Sequence, residues 1–262
     1  MEDSLIQVTW LDVFISCGMV VISLGLITAQ RIGIQKDITI GAIRSLIQLG
    51  LIGYVLVFLF SITSLLLIFC LLILMGLVAA YTAKGRIHKP FPNAIPVLWF
   101  SISAGSILVV TFVTVLTMRD PTALTPRYII PLGGMIFGNS LNGLSLGSER
   151  FRSELISQKE RIECLLSLGA TSERAAADSK RAAFVAAMIP TINSLMVIGL
   201  IQIPGIMTGQ MLSGVDPLMA ARYQIIVLFM LVLGKTLVLT FGLKFIAKQY
   251  FTGAHQLRTE LL

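Results

Sequence analysis

Seven apolar stretches alternate with polar ones along this chain: Leu11–Gln30, Ile38–Phe60, Ser64–Ala83, Ala94–Thr117, Tyr128–Gly147, Ala183–Ile203 and Tyr223–Ile246. Each approaches the roughly 20 residues a helix needs to cross about 30 Å of hydrocarbon. The pattern predicts an all-α fold, a polytopic transmembrane helical bundle of about seven spans, forming a single domain over residues 1–262. Ser61-Ile62-Thr63 is so short that spans two and three form a tight hairpin. Pro90, Pro92 and Pro96 bracket the start of the fourth span, and Pro121 and Pro126 fall in the loop after it. Pro190 and Pro204-Gly205 are expected to interrupt the sixth, because proline lacks an N–H and clashes with the preceding turn. The beginning, MEDSLIQVTW, is acidic and has no basic n-region. The apolar run after it is too long for a cleaved signal peptide, so the first span is read as retained.

The long polar interval, Ser148–Ala182, has its own periodicity. Phe151, Leu155, Ile162, Leu165 and Leu166 recur at helical spacing among charged residues. Lys159–Glu163 and Arg174–Asp178 are spaced as i,i+4 ion pairs. Gly169 is placed to end one helix as a left-handed cap, and Thr171 or Ser172 to cap the next. The fifth span therefore continues into a polar hairpin that turns at Leu168-Gly169-Ala170-Thr171 and returns. An ordinary solvated hairpin is one reading; an apolar stripe that wants a cover is the other.

Charge fixes the expected sidedness. With the N-terminus outside, fifteen of the 20 Lys and Arg fall in interior segments, and only Arg119, Arg127 and Arg222 fall outside. Arg44 and Lys235 lie within spans. The C-terminus is then cytoplasmic. Residues of hydrophobic type make up 56% of the chain and charged ones 13%, half the share of a soluble domain. The net charge of +7 thus reflects topology, and no nucleic-acid partner is expected. Cys17, Cys70 and Cys164 have no paired spacing and imply neither a disulfide nor zinc.

Few residues offer chemistry. None of the 13 Asp and Glu falls in mid-membrane, which counts against a cation-coupled carrier. Lys235 is near the middle of the seventh span, where an unpaired lysine costs about 2.5–3.5 kcal/mol; Thr236 and Thr240 are its potential neighbours. Arg44 is near enough to an end of its span to snorkel. Gln48, Asn139, Asn142, Asn193, Gln202 and Gln210 add carboxamides that either bond between helices or line a polar path. Arg44, Gln48, Asn139, Asn142, Asn193, Gln202 and Lys235 are the candidate pathway residues. Met207 and Met211 could offer two thioethers to a soft metal but suit ordinary packing better. The metal ligands, if any, are unknown. His88 and His255 lie in polar segments, and no catalytic set accompanies them. No G-x-x-x-x-G-K-[ST] phosphate cradle occurs in the chain. The reading is of a transport subunit with no cofactor of its own, not an enzyme, that takes energy from a partner or from an ion gradient.

Glu163-Cys-Leu-Leu-Ser-Leu-Gly169 resembles the E-A-A-x-x-x-G signature of ABC-transporter permeases, with Cys164 and Leu165 in place of the alanines. The I-x-L-P that follows in that signature is matched only loosely, and too late, by Ile189-Pro190. YIIPLGGMIFGNSLNG (128–143), LGAT (168–171) and IPGIMTGQMLSGVDP…ARYQI (203–225) resemble the FetB-type permease family, which includes a bacterial iron-export permease and plant relatives tied to aluminium tolerance. The resemblance implies the membrane subunit of an iron exporter in the bacterial inner membrane. Two copies would work with two copies of a separate cytoplasmic ABC ATPase that holds the ATP. It also implies that Glu163, Leu168, Gly169, Ala170 and Thr171 carry the coupling to that partner. A gradient-driven secondary transporter and a non-transporting membrane scaffold are the alternatives.

Overall fold

In the computed structural model, residues 9–61 and 64–262 are described. The acidic residues Glu2 and Asp3 and the expected junction at Ile62-Thr63 lie outside them. The chain divides into two units, residues 1–62 and 63–262, each taken by itself.

The first unit holds α1 (Trp10–Ala29) and α2 (Gln35–Phe60). Asp12 closes the start of α1 by accepting from the Thr9 N–H and hydroxyl, at 2.8 and 2.7 Å. Arg31 and Gly33, both at positive φ, turn the chain into α2. Neither helix buries a residue in this chain. Arg44 and Gln48 are exposed, and neither side chain makes a hydrogen bond among the described residues.

The second unit packs α3 (Leu65–Arg86), α4 (Ala94–Phe112, continued as a π-helix over Val113–Thr117), α5 (Pro126–Ser157), α8 (Ala177–Val197) and α10 (Pro217–Gln249). Between them run the short helices α6 (Lys159–Ser167), α7 (Ser172–Ala175) and α9 (Gly205–Leu212). Local chemistry sets the starts. Asp216 accepts from the Met219 N–H and Pro217 follows it at the first helical position, where its missing N–H costs nothing. Asp120 holds the turn before α5 by accepting from the Thr122 N–H and hydroxyl, which depress its pKa.

Small residues then let the long helices approach. Asn139, Gly143 and Gly147 of α5 meet Leu231, Lys235 and Leu239 of α10 in turn, so the two helices run parallel. Gly234 and Gly242 of α10 receive Ile136 and Leu144 of α5. Gly147 also meets Ala187, which sets α8 antiparallel to both. In hydrocarbon, where apolar side chains gain nothing by leaving lipid, such close contact is what holds helices together. Gly105 of α4 faces the Val238 side chain and also its backbone, which cannot step aside. Gly105→Ala is therefore expected to cost about 1–3 kcal/mol, read as a lower melting temperature in detergent. Gly138→Ala, with nothing within 4 Å, should leave that temperature unchanged or slightly raised.

Among the described residues, six helices are long and apolar enough to cross a membrane: α1, α2, α3, α4 with its π-turn, α5 and α10. The sixth expected span departs from the others. Its helix runs through Pro190 without a break and ends at Val197, not Ile203. The interruption is the link that follows, where Gly199 takes φ +82° and Ile198 bridges to Gln202. The run of apolar side chains masks this end, because Ile198–Ile203 is as greasy as the helix before it.

Candidate functional site

The hairpin forms largely as its residues dictate. α5 is 32 residues long, about 48 Å at 1.5 Å per residue, and so projects well past a 30 Å hydrocarbon layer. The chain bends at Gln158 and continues as α6. Gly169 takes φ +88°, its N–H donates to the Leu166 carbonyl, and the Ala170 N–H donates to the Leu165 carbonyl. This pair of bonds is a Schellman cap, which requires a left-handed residue in that place. Thr171 Oγ1 then accepts from the Arg174 N–H, starting α7. Lys159 and Glu163 pair at 3.8 Å as expected. Arg174–Asp178 does not form; Asp178 instead takes Arg161 at 2.6 Å, because the turn brings α6 back beside the start of α8. With both partners well exposed, that pair contributes about 0–1 kcal/mol.

The expected cover for the apolar stripe comes in good part from the chain itself. Phe151, Leu155 and Ile162 are buried. Phe151 packs edge-on against Tyr250, whose other neighbour is Phe91, at centroid distances of 5.9 and 6.2 Å. Burial raises the Tyr250 phenol to about 12, opposed by Arg152 and assisted by Glu149, so it is neutral at any ordinary pH. What remains outward is the tip: Glu163, Cys164, Leu168, Gly169 and Thr171 are exposed and Ala170 half-buried, with Leu168 80% exposed.

Three basic segments meet at this end of the unit. The His88 N–H donates to Glu149 Oε1, Lys89 Nζ donates to the carbonyls of Glu260 and Leu262, and Ser172 contacts His255. Three of the segments whose Lys and Arg the charge pattern assigns to one side, all of them in the second unit, are thus together.

Lys235 lies at the seam of α5, α8 and α10, 3% exposed. Its stem runs along Gly143, where a Cβ would overlap it, and Nζ donates to Thr191 Oγ1 at 2.8 Å. Neither Thr236 nor Thr240 is its partner; the Thr240 hydroxyl is turned to the Thr236 carbonyl. No carboxylate pairs with Lys235 among the described residues. One turn away Asn139 Nδ2 donates to the Leu231 carbonyl at 3.3 Å. The other candidates disperse. Asn142 Oδ1 accepts from Arg86 at 2.5 Å, Asn193 and Gln202 are exposed, and Gln202 sits in the non-helical link. Thr191, Gly143 and the buried Gln224, whose Oε1 has no partner among the described residues, went unmarked by sequence. The one available signal was spacing: Gly143 and Gly147 are four apart, as close helix contact requires.

Comparison with known proteins covers almost the whole chain. Residues 10–251 match the family described as "Uncharacterised protein family (UPF0014)". The chain is 35% identical to the UPF0014 membrane protein slr1647 of Synechocystis, over 98% of this chain and 99% of that one. It is 31% identical to the probable iron export permease protein FetB of Escherichia coli, over 91% of each. It is 32% identical to the protein ALUMINUM SENSITIVE 3 of Arabidopsis thaliana, over 96% of this chain and 94% of the relative. No solved structure matches.

Proposed function

The chain belongs to the UPF0014 family of membrane proteins, and from that premise we propose that it is the membrane-spanning permease subunit of an ABC exporter. ATP is hydrolysed on a separate cytoplasmic subunit. Iron is the cargo, a reading supported by the name of the Escherichia coli relative; among the described residues no three His, Cys, Asp or Glu stand together. The N-terminus is outside, the C-terminus cytoplasmic, and the membrane is the bacterial inner membrane. Closure of the ATPases moves α6, the Gly169 turn and α7, and through them α5 and α8, so that access alternates.

The observation that carries this reading is the capped hairpin tip. α5 is long enough to project past the hydrocarbon layer and, continued by α6, presents a short, capped, solvent-facing turn, a form suited to being gripped. The link after α8 supports two copies. It begins about 9 Å beyond the level of Thr191 and Lys235, inside a half-layer of about 15 Å. Leu200 and Ile201 are more than 80% exposed there. Irregular backbone at that depth is tolerated only against protein or a cavity, and a second copy supplies the cover.

The test is reconstitution in liposomes with the ATPase subunit. Iron should move only when ATP is present, and iron should raise the ATPase rate. An ionophore that collapses ion gradients should leave transport intact. Full vectorial transport by this chain alone without nucleotide would establish a secondary carrier. An ATPase rate indifferent to solute, with no transport, would establish a scaffold.

A further inference from the structure

Where the basic segments meet, a cavity of about 390 Å³ opens between the start of α7–α8 and the end of α10. Lys180, Lys244 and Lys248 line it, with the hydroxyl residues Thr171 and Ser172. Among the described residues the only carboxylate on its wall, Glu173, reaches Lys180 at 3.9 Å but is 73% exposed, so water screens it. Lys244 and Lys248 are one turn apart on α10, repel each other, and have no ion pair among the described residues. His255 seals another side. The Ser172 N–H donates to His255 Nδ1 at 3.2 Å, and the Ser172 hydroxyl lies 3.0 Å from the same atom. A preference for basic residues at the inner end of a span accounts for lysines near this level. It does not account for three of them converging with two hydroxyls on one cavity.

The site is also placed at the membrane boundary. The buried apolar face of α10 ends at Ile246 and Ala247, and Ala247 and Phe251 form the apolar part of the wall. The second basic groove, by Arg150, Asp178 and Arg181, is less suited to an anion: Arg150 already pairs with Glu154, and Asp178 sits on its rim.

We infer that this cavity binds the phosphate group of an anionic ligand, and its level on α10 favours the headgroup of an anionic phospholipid over a free phosphate. Lys180, Thr171 and Ser172 come from the hairpin, and Lys244 and Lys248 from α10. A bound phosphate therefore ties the base of the hairpin to the last span. This site stands whether or not the hairpin meets an ATPase.

The experiment uses the full chain, purified in neutral detergent. Phosphatidylglycerol, phosphatidylcholine and inorganic phosphate are added in separate arms, with melting temperature and native mass spectrometry as readouts. Phosphatidylglycerol should bind and raise the melting temperature, and phosphatidylcholine should not. Lys244→Gln with Lys248→Gln should weaken phosphatidylglycerol binding by about 10- to 30-fold, the loss of two interfacial cations. Lys244→Arg with Lys248→Arg should restore most of it. Arg119→Gln with Arg127→Gln removes the same charge elsewhere and should leave binding as it was. Competition by millimolar phosphate assigns the site to the free anion, and its absence assigns it to the lipid. Equal binding of the two lipids, or undiminished binding by the double Lys→Gln variant, overturns the inference. So does equal weakening by the Arg119/Arg127 control.

Discussion

Gly169→Pro is expected to abolish co-purification of the ATPase subunit while the chain still inserts in the membrane at normal yield. The backbone makes this the harshest single change on the hairpin. Gly169 stands at φ +88°, and a proline is fixed near −65°. Its N–H, which closes on the Leu166 carbonyl, would be lost as well. The Schellman cap cannot re-form around such a residue, so α6 must end differently and Leu168, Ala170 and Thr171 must move. Insertion depends on the apolar spans, none of which includes Gly169, and is therefore untouched. Gly169→Ala separates backbone from chemistry: a left-handed alanine costs about 1–2 kcal/mol, and nothing lies within 4 Å of the added Cβ. Association should be weakened but retained. Glu163→Lys leaves the cap intact and reverses an exposed charge at the tip, and it too should release the partner. If both Gly169→Pro and Glu163→Lys co-purify with the ATPase as wild type does, the hairpin is not the coupling element.

The difference between what was legible in the sequence and what was not follows distance along the chain. The Gly169 cap was legible because all its determinants lie close together in the chain: an amphipathic run, a glycine, then a hydroxyl to start the next helix. The spans were legible because length and apolarity alone decide them. The end of α8 was not, since Leu200 and Ile201 continue the apolar run while Gly199 at φ +82° has already broken the helix. The Arg174–Asp178 pair failed through competition. Its spacing was right, but a turn earlier in the chain delivers Arg161 to Asp178. Lys235 was legible as costly from its position in a span. Its partner was not, because Thr191 is 44 residues away and reaches it only through the register of α5, α8 and α10.

That register makes Lys235 and Thr191 a sharper test than either residue alone. Taking away the acceptor leaves a buried ammonium with no partner, whereas taking away the lysine leaves a hydroxyl that can turn to its own helix, as buried serines and threonines elsewhere in this bundle do. Thr191→Val should therefore destabilise the protein by about 1–3 kcal/mol. Lys235→Met, which refills the groove over Gly143 with an unbranched apolar chain, should cost less or even stabilise. Adding Thr191→Val to Lys235→Met should cost little further, so the double-mutant cycle should show strong coupling. Transport should order the variants the other way. If the lysine contributes its charge to the pathway, Lys235→Met assembles with the ATPase and melts normally but loses transport, while Thr191→Val keeps a share of it at low temperature. Full transport by Lys235→Met would remove the residue from the pathway and leave it an inter-helix tie. A lysine held there only for structure would not survive the comparison, since methionine fills the same space without a charge to bury.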